Sequence, residues 1–132
     1  MTDRRIRHSL LAAVAMLAFA LSHVAAASAA DAAKDEIDHL LDYVATSSCT
    51  FVRNGSEYPA GQARDHLAGK YRWAGSRIST AEEFIRYVAG GSSMSGEPYH
   101  VRCGTSDRLS GEWLTSELKR YREAPRLQRV VR

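Results

Sequence analysis

The chain has 132 residues, 45% of them hydrophobic and 25% charged, with 18 Lys and Arg against 15 Asp and Glu and a formal net charge of +3. That length makes one domain rather than several, and the apolar share excludes a chain too polar to build a core. Without Arg4, Arg5, Arg7 and Asp3 the balance becomes 15 basic to 14 acidic groups, which removes the electrostatic case for a nucleic-acid partner.

In chain order, those three arginines precede an uncharged run from Leu10 to Leu21, and small residues close the segment at Ala27-Ser28-Ala29. This is the order of a secretory signal peptide over residues 1–29, with an A-x-A cleavage site. The run is short of the ~20 residues that span a bilayer, so no transmembrane segment is expected after its removal. No cysteine follows it closely enough to carry a lipid. The expected address is periplasmic, with one compact domain over residues 30–124. Within it, Ile37, Leu40, Leu41 and Val44 recur at i, i+3, i+4, i+7 and predict an amphipathic helix over about residues 32–46. Asp31, Asp35, Asp38 and Asp42 form a stripe on that helix. It is read as a solvated face whose first acids suit the helix N-terminus, since no calcium-loop pattern accompanies it.

Thr50 to Arg53 is a β-prone run, Asn54-Gly55 signals a tight turn, and Ser56 to Tyr58 reads as a brief third strand. Pro59 suits the first turn of a second helix, which carries Ala63, Leu67, Tyr71 and Ala74 on one stripe and ends near Gly75. Ser79 with Glu82 reads as a capping box for a third helix, with Phe84, Tyr87 and Val88 inward and Gly90-Gly91 as its stop. Tyr99 to Cys103 is the second main strand, and Gly104 to Gly111 reads as a loop. Leu114, Leu118 and Tyr121 mark a last helix ending at Pro125, which leaves residues 125–132 as a basic, disordered tail. No repeat at solenoid spacing is seen.

The fold class expected is α+β, a small antiparallel sheet covered by about four helices in the order α-β-α-α-β-α. The two cysteines, Cys49 and Cys103, are read as a disulfide, because an isolated pair in an oxidising compartment is normally bridged. Antiparallel strands place Cys49 opposite Cys103, Phe51 opposite Val101 and Arg53 opposite Tyr99, all on one face. Parallel strands would hold the sulfurs roughly 13 Å apart, too far to bond.

Several motifs occur together in order: Phe51-Val52-Arg53-Asn54-Gly55, then Ala63-Arg64-Asp65-His66-Leu67 with Lys70, then Arg77 to Ile85, and Ser92 to Tyr99. Through them, from about Ile37 to Arg122, the chain resembles the YfeK-like family, small exported proteins of Gram-negative bacteria with no assigned function. The resemblance implies a periplasmic address and a single domain, and it brings no substrate, cofactor or catalytic residue.

The chemistry therefore rests on individual residues. The antiparallel register gathers Arg53, Asn54, Ser95, Gly96 and Tyr99 at one end of the sheet. Arg53 offers five donors suited to a carboxylate or phosphate, and Tyr99 offers a ring and a hydroxyl. The alternative is an internal pair between Arg53 and Glu57 or Glu82. His66, with Ser92, Ser93 or Ser95 as hydroxyl partner, is the weak candidate for catalysis, and Ser93 stands for the serine. No G-x-S-x-G elbow is present. The glycine-serine run from Gly90 to Gly96 follows a helix instead of preceding one, so it reads as a cap and connection and not a phosphate loop. Ser95-Gly96-Glu97-Pro98-Tyr99 is also similar to a loop of periplasmic lysozyme inhibitors, which are β-barrels. The three mature histidines lack metal-ligand spacing, and neither a metal nor a cofactor is expected. The reading is a non-enzymatic binding module of the cell envelope whose partner is an envelope protein or a small acidic ligand. The alternatives are a hydrolase or transferase using His66 with a loop serine, and an inhibitor-like protein.

Overall fold

Helix α1 (residues 28–46) turns Ile37, Leu40, Leu41 and Val44 inward, none more than 5% exposed, as the 3.6-residue period requires. The computed structural model describes residues 28–130, with side chains through Ala124. The signal-peptide reading of residues 1–29 therefore lies almost wholly outside the described residues. Residues 33–132 form one compact unit, and of the unit over residues 1–32 only the helical residues 28–32 are described.

Strands β1 (Thr50–Arg53) and β2 (Ser56–Pro59) form a hairpin through Asn54 (φ 48°) and Gly55 (φ 77°). Both residues are left-handed, the turn geometry whose twist matches the flanking strands. Helix α2 (Ala60–Ala74) leaves directly from Pro59, and Gly75 (φ 56°) closes it by donating its N–H to Tyr71 O before a 3₁₀ turn over Gly75–Arg77. Helix α3 (Ala81–Phe84) opens on a capping box one residue beyond the expected pair: Thr80 is the cap and Glu83 the reciprocal partner. Thr80 has the extended backbone a cap needs, and Ser79 instead donates to the Glu83 carboxylate from outside the helix. A π-helical turn over Ile85–Ala89 continues α3. Strand β3 (His100–Cys103), strand β4 (Ser106–Leu109) and helix α4 (Ser110–Val130) complete the order.

The sheet is antiparallel throughout, in the order β2-β1-β3-β4. It is mixed α+β as expected, with four strands in place of two and a short third. β4 escapes the sequence reading because Ser106 to Leu109 is exposed at every residue and shows no apolar alternation. Its signal is Gly104, whose φ of 60° at the first central position makes the mirror-image turn of a tight hairpin. Helix α4 continues through Pro125 to Val130, where the sequence reading ends it at Pro125. Phe51 faces Val101, and Cys49 is bonded to Cys103 with their Cα atoms 4.7 Å apart. Phe51 and Val101 point into the core with the helices; on the opposite face Arg102 bridges Glu57 and Asp107 across three strands.

The two hairpins are copies of one plan. Thr50 pairs with Pro59 and α2 begins at Ala60; His100 pairs with Leu109 and α4 begins at Ser110. At this constant offset Ser56, Gly61, Tyr71 and Arg72 meet Ser106, Gly111, Tyr121 and Arg122. The register of β1 against β3 is symmetric about the Phe51–Val101 pair, as an approximate two-fold axis there demands. The helix before each hairpin repeats its buried pattern too, Ile37, Leu40, Leu41 and Val44 answering to Ala81, Phe84, Ile85 and Val88. The described residues thus repeat one α-β-β-α plan twice, which repeat spacing in the sequence does not reveal because few residues are identical at equivalent positions. Under the axis, the disulfide partners Cys49 and Cys103 map onto Tyr99 and Arg53.

Candidate functional site

The end of the sheet opposite the disulfide opens into a cavity of about 660 Å³ between α2, the π-turn and the Ser92–Gly96 loop. Arg53 projects from the last residue of β1 and His66 and Lys70 from one face of α2, while Tyr99 precedes β3. Arg53 Nη1 lies 2.8 Å from His66 Nδ1 and 3.0 Å from Nε2, and its Nη2 donates to the Tyr58 hydroxyl at 2.9 Å. His66 Nε2 is 3.3 Å from the Tyr99 hydroxyl. Lys70 Nζ donates to Val88 O at 2.7 Å, to Gly91 O at 2.8 Å and to the Tyr99 hydroxyl at 3.4 Å.

The proton arrangement follows from these contacts. Burial, then Arg53 and Lys70, hold His66 below its ordinary pKa, so its imidazole is neutral at pH 7. A neutral ring has one acceptor nitrogen, and Arg53 Nη1 lies within hydrogen-bond distance of both ring nitrogens. The Tyr99 hydroxyl sits between His66 Nε2 and Lys70 Nζ and accepts from the Lys70 amine. Arg53 keeps N–H groups beyond the two it gives to His66 and Tyr58. Burial, with Arg53 adding to it, holds the Lys70 amine below its ordinary value, and burial raises the Tyr99 phenol.

Arg53, Lys70 and Arg77 line the cavity, and no Asp or Glu does. The carboxylates offered by the sequence for an internal pair with Arg53 are engaged elsewhere: Glu57 with Arg102, and Glu82 with Arg122. Among the described residues neither Arg53 nor Lys70 has a carboxylate within ion-pair distance.

Of the residues singled out from sequence, Arg53, Asn54, His66, Ser93 and Tyr99 meet at this cavity. Ser95 and Gly96 do not line it: Ser95 opens onto a separate depression and its Oγ donates to Asn54 Oδ1 at 2.9 Å, and Gly96 (φ 75°) donates its N–H to Ser92 O. No serine hydroxyl is hydrogen-bonded to His66, whose nitrogens face Arg53 and Tyr99. Tyr99 is 7% exposed, so its ring points inward. Among the described residues no group of His, Cys, Asp and Glu could hold a metal ion. No described helix is long and apolar enough to cross a membrane. The sequence reading missed Lys70 as a site residue, and with it Trp73, Arg77, Tyr87 and Met94. The signal was there in α2 and the 3₁₀ turn after it, where His66, Lys70, Trp73 and Arg77 follow one another at helical spacing.

Residues 31–122 match the model of a family described as a family of unknown function, DUF5329. A stretch of 50 residues is 48% identical to the uncharacterized protein YfeK of Salmonella typhimurium, covering 38% of this chain and 42% of that protein. The match thus spans less than half the length of that relative. No solved structure matches the chain.

Proposed function

The chain belongs to the DUF5329 family, whose function is unknown, and from the geometry of its cavity we propose that it is an exported, non-enzymatic binding module for a small acidic ligand. One observation carries the reading: the cavity holds the Arg53 and Lys70 charges with no carboxylate to neutralise them. Buried or half-buried charges are normally paired, and these two lack the counter-charge that an anion supplies. Arg53 N–H groups and the Tyr99 O–H would bond the ligand. Lys70, whose N–H groups are taken up by two carbonyls and the phenol oxygen, contributes charge and orients that phenol. A catalytic role for His66 is disfavoured because a guanidinium already faces its ring nitrogens and no serine hydroxyl is bonded to it. The export component rests on the N-terminal residue pattern, supported by the disulfide.

The test is an NMR titration of the disulfide-intact protein with sodium acetate and with sodium phosphate at constant ionic strength. Saturable shifts confined to His66, Tyr99 and their neighbours are expected, and they should vanish in Arg53→Gln. Linear shifts of equal size in both proteins would sink the proposal.

A further inference from the structure

The anion site is only the inner end of the cavity. Among the described residues the exposed large hydrophobic side chains are Trp73 at 76%, Tyr87 at 58%, Met94 at 99% and Leu109 at 38%. The first three all line this one cavity, with Ala74, Ile78 and Val88 between them. Scattered single hydrophobics need no explanation, but three large ones converging on a concave surface do. Two of the rings are already oriented: Arg77 lies 4.3 Å over the Trp73 ring and Arg86 5.6 Å over that of Tyr87. These stacks hold the aromatic faces at the mouth and add positive charge to it.

We infer that the ligand is an amphiphilic oxyanion, with a single anionic head held by Arg53 and Tyr99 and an apolar body lying between Trp73, Tyr87 and Met94. The inference rests on the anion-binding reading and adds the class of molecule. Concavity selects a small molecule over a protein surface. About 660 Å³ falls within the 300–1,000 Å³ of ordinary small-ligand sites, whereas a protein partner needs a broad, flat patch. Charge selects an anion, because every ionisable group that lines the cavity is basic or phenolic. Met94, on the rim, is flexible and polarizable enough to settle over hydrocarbon of varied shape. The head is equally served by a carboxylate or a phosphate monoester, since Arg53 presents the same fork to either.

Octanoate and octyl phosphate are the probes for the two heads, with acetate as a head lacking a body and 1-octanol as a body lacking a head. Binding to the disulfide-intact protein is read from its two indole N–H resonances, the Trp73 signal being assigned with Trp73→Phe. The expected result is saturable movement of the Trp73 resonance with octanoate or octyl phosphate, at an affinity at least tenfold above acetate, and no saturation with octanol. Tyr87→Ala and Met94→Ser change exposed side chains, leave the fold intact and keep the Trp73 reporter. Each should weaken the octyl anions by about tenfold while leaving acetate unchanged. If acetate and octanoate bind alike and Arg53→Gln abolishes both, the anion site stands and the amphiphile proposal is overturned. If octanol binds as well as octanoate and Arg53→Gln changes neither, both readings fall.

Discussion

Reducing the Cys49–Cys103 bond tests whether this duplicated sheet depends on a covalent tie. The cysteines are 54 positions apart, so breaking the bond releases a loop holding β1, β2, α2, α3 and β3. In the chain-entropy account a loop of that length is worth about 4 kcal/mol at 25 °C. A domain of this size has about 5–15 kcal/mol in all, so the loss is a large fraction of what holds it folded. At roughly 4–8 °C per kcal/mol for a small domain, the melting temperature should fall by roughly 15–30 °C. The assay is urea unfolding followed by far-UV circular dichroism, with and without reductant. Cys49→Ser/Cys103→Ser serves as a control in which thiol exchange cannot occur. Equal slopes with midpoints that differ by less than about 1 kcal/mol of stability would refute the entropic argument for this loop.

Glu117 is nearly fully buried; although burial pushes its pKa up, hydrogen bonds from Arg120 and His39 hold it below the ordinary carboxylate value. A depressed folded pKa means stability present above the unfolded value of about 4.3 and lost as pH falls through the folded one. Chemical denaturation between pH 2 and 6 should therefore show a shallower acid loss in Glu117→Gln than in wild type. His66 should titrate by NMR below the ordinary histidine value of about 6.5, and Arg53→Gln should move it upward. Its contribution to stability is present above that ordinary value and declines as pH drops through the interval to the folded one. Thr80→Ala removes the cap that accepts from Glu83 N at 3.1 Å and should cost about 1 kcal/mol in thermal or urea unfolding.

The legible parts of the fold are those with a strong local signal. Ile37 to Val44 carries helical periodicity, Asn54-Gly55 permits two left-handed residues in succession, and the cysteine pair together with strand alternation fixes the register of Phe51 on Val101. β4 was invisible because all four of its residues face solvent, so burial left no pattern in them. The opposite edge strand, β2, was legible only through the turn before it. The cavity was half legible. Register alone brought Arg53, Asn54 and Tyr99 to one end, but the fate of Glu57 and Glu82 depends on Arg102 and Arg122, which are distant in sequence. Trp73, Tyr87 and Met94 read as ordinary helix and loop residues until the packing of α2 beside the π-turn brings them to one cavity.

The two-fold relation explains why the cavity can be cationic at all. Each half presents equivalent positions to its surroundings, and the two halves fill them with opposite chemistry. Where one end of the β1–β3 pair carries Cys49 and Cys103, the other carries Tyr99 and Arg53. The backbone plan is therefore compatible with a covalent crosslink or with a cluster of hydrogen-bond donors at the same place. The helices repeat the contrast. In α4 the cation Arg120 is neutralised by Glu117, but at the equivalent positions of α2 the cation is Lys70 and the carboxylate is replaced by Leu67. Tyr43 stacks on Trp113 with ring centroids 4.5 Å apart, whereas the equivalent positions hold Tyr87 and Ala63, and Tyr87 remains 58% exposed. Filling, neutralising and crosslinking at one end of the β1–β3 pair supplies the rigidity, so the other end can leave a groove open and its charge unpaired. A site that costs stability is tolerable where the duplicate of the same framework carries the structural load.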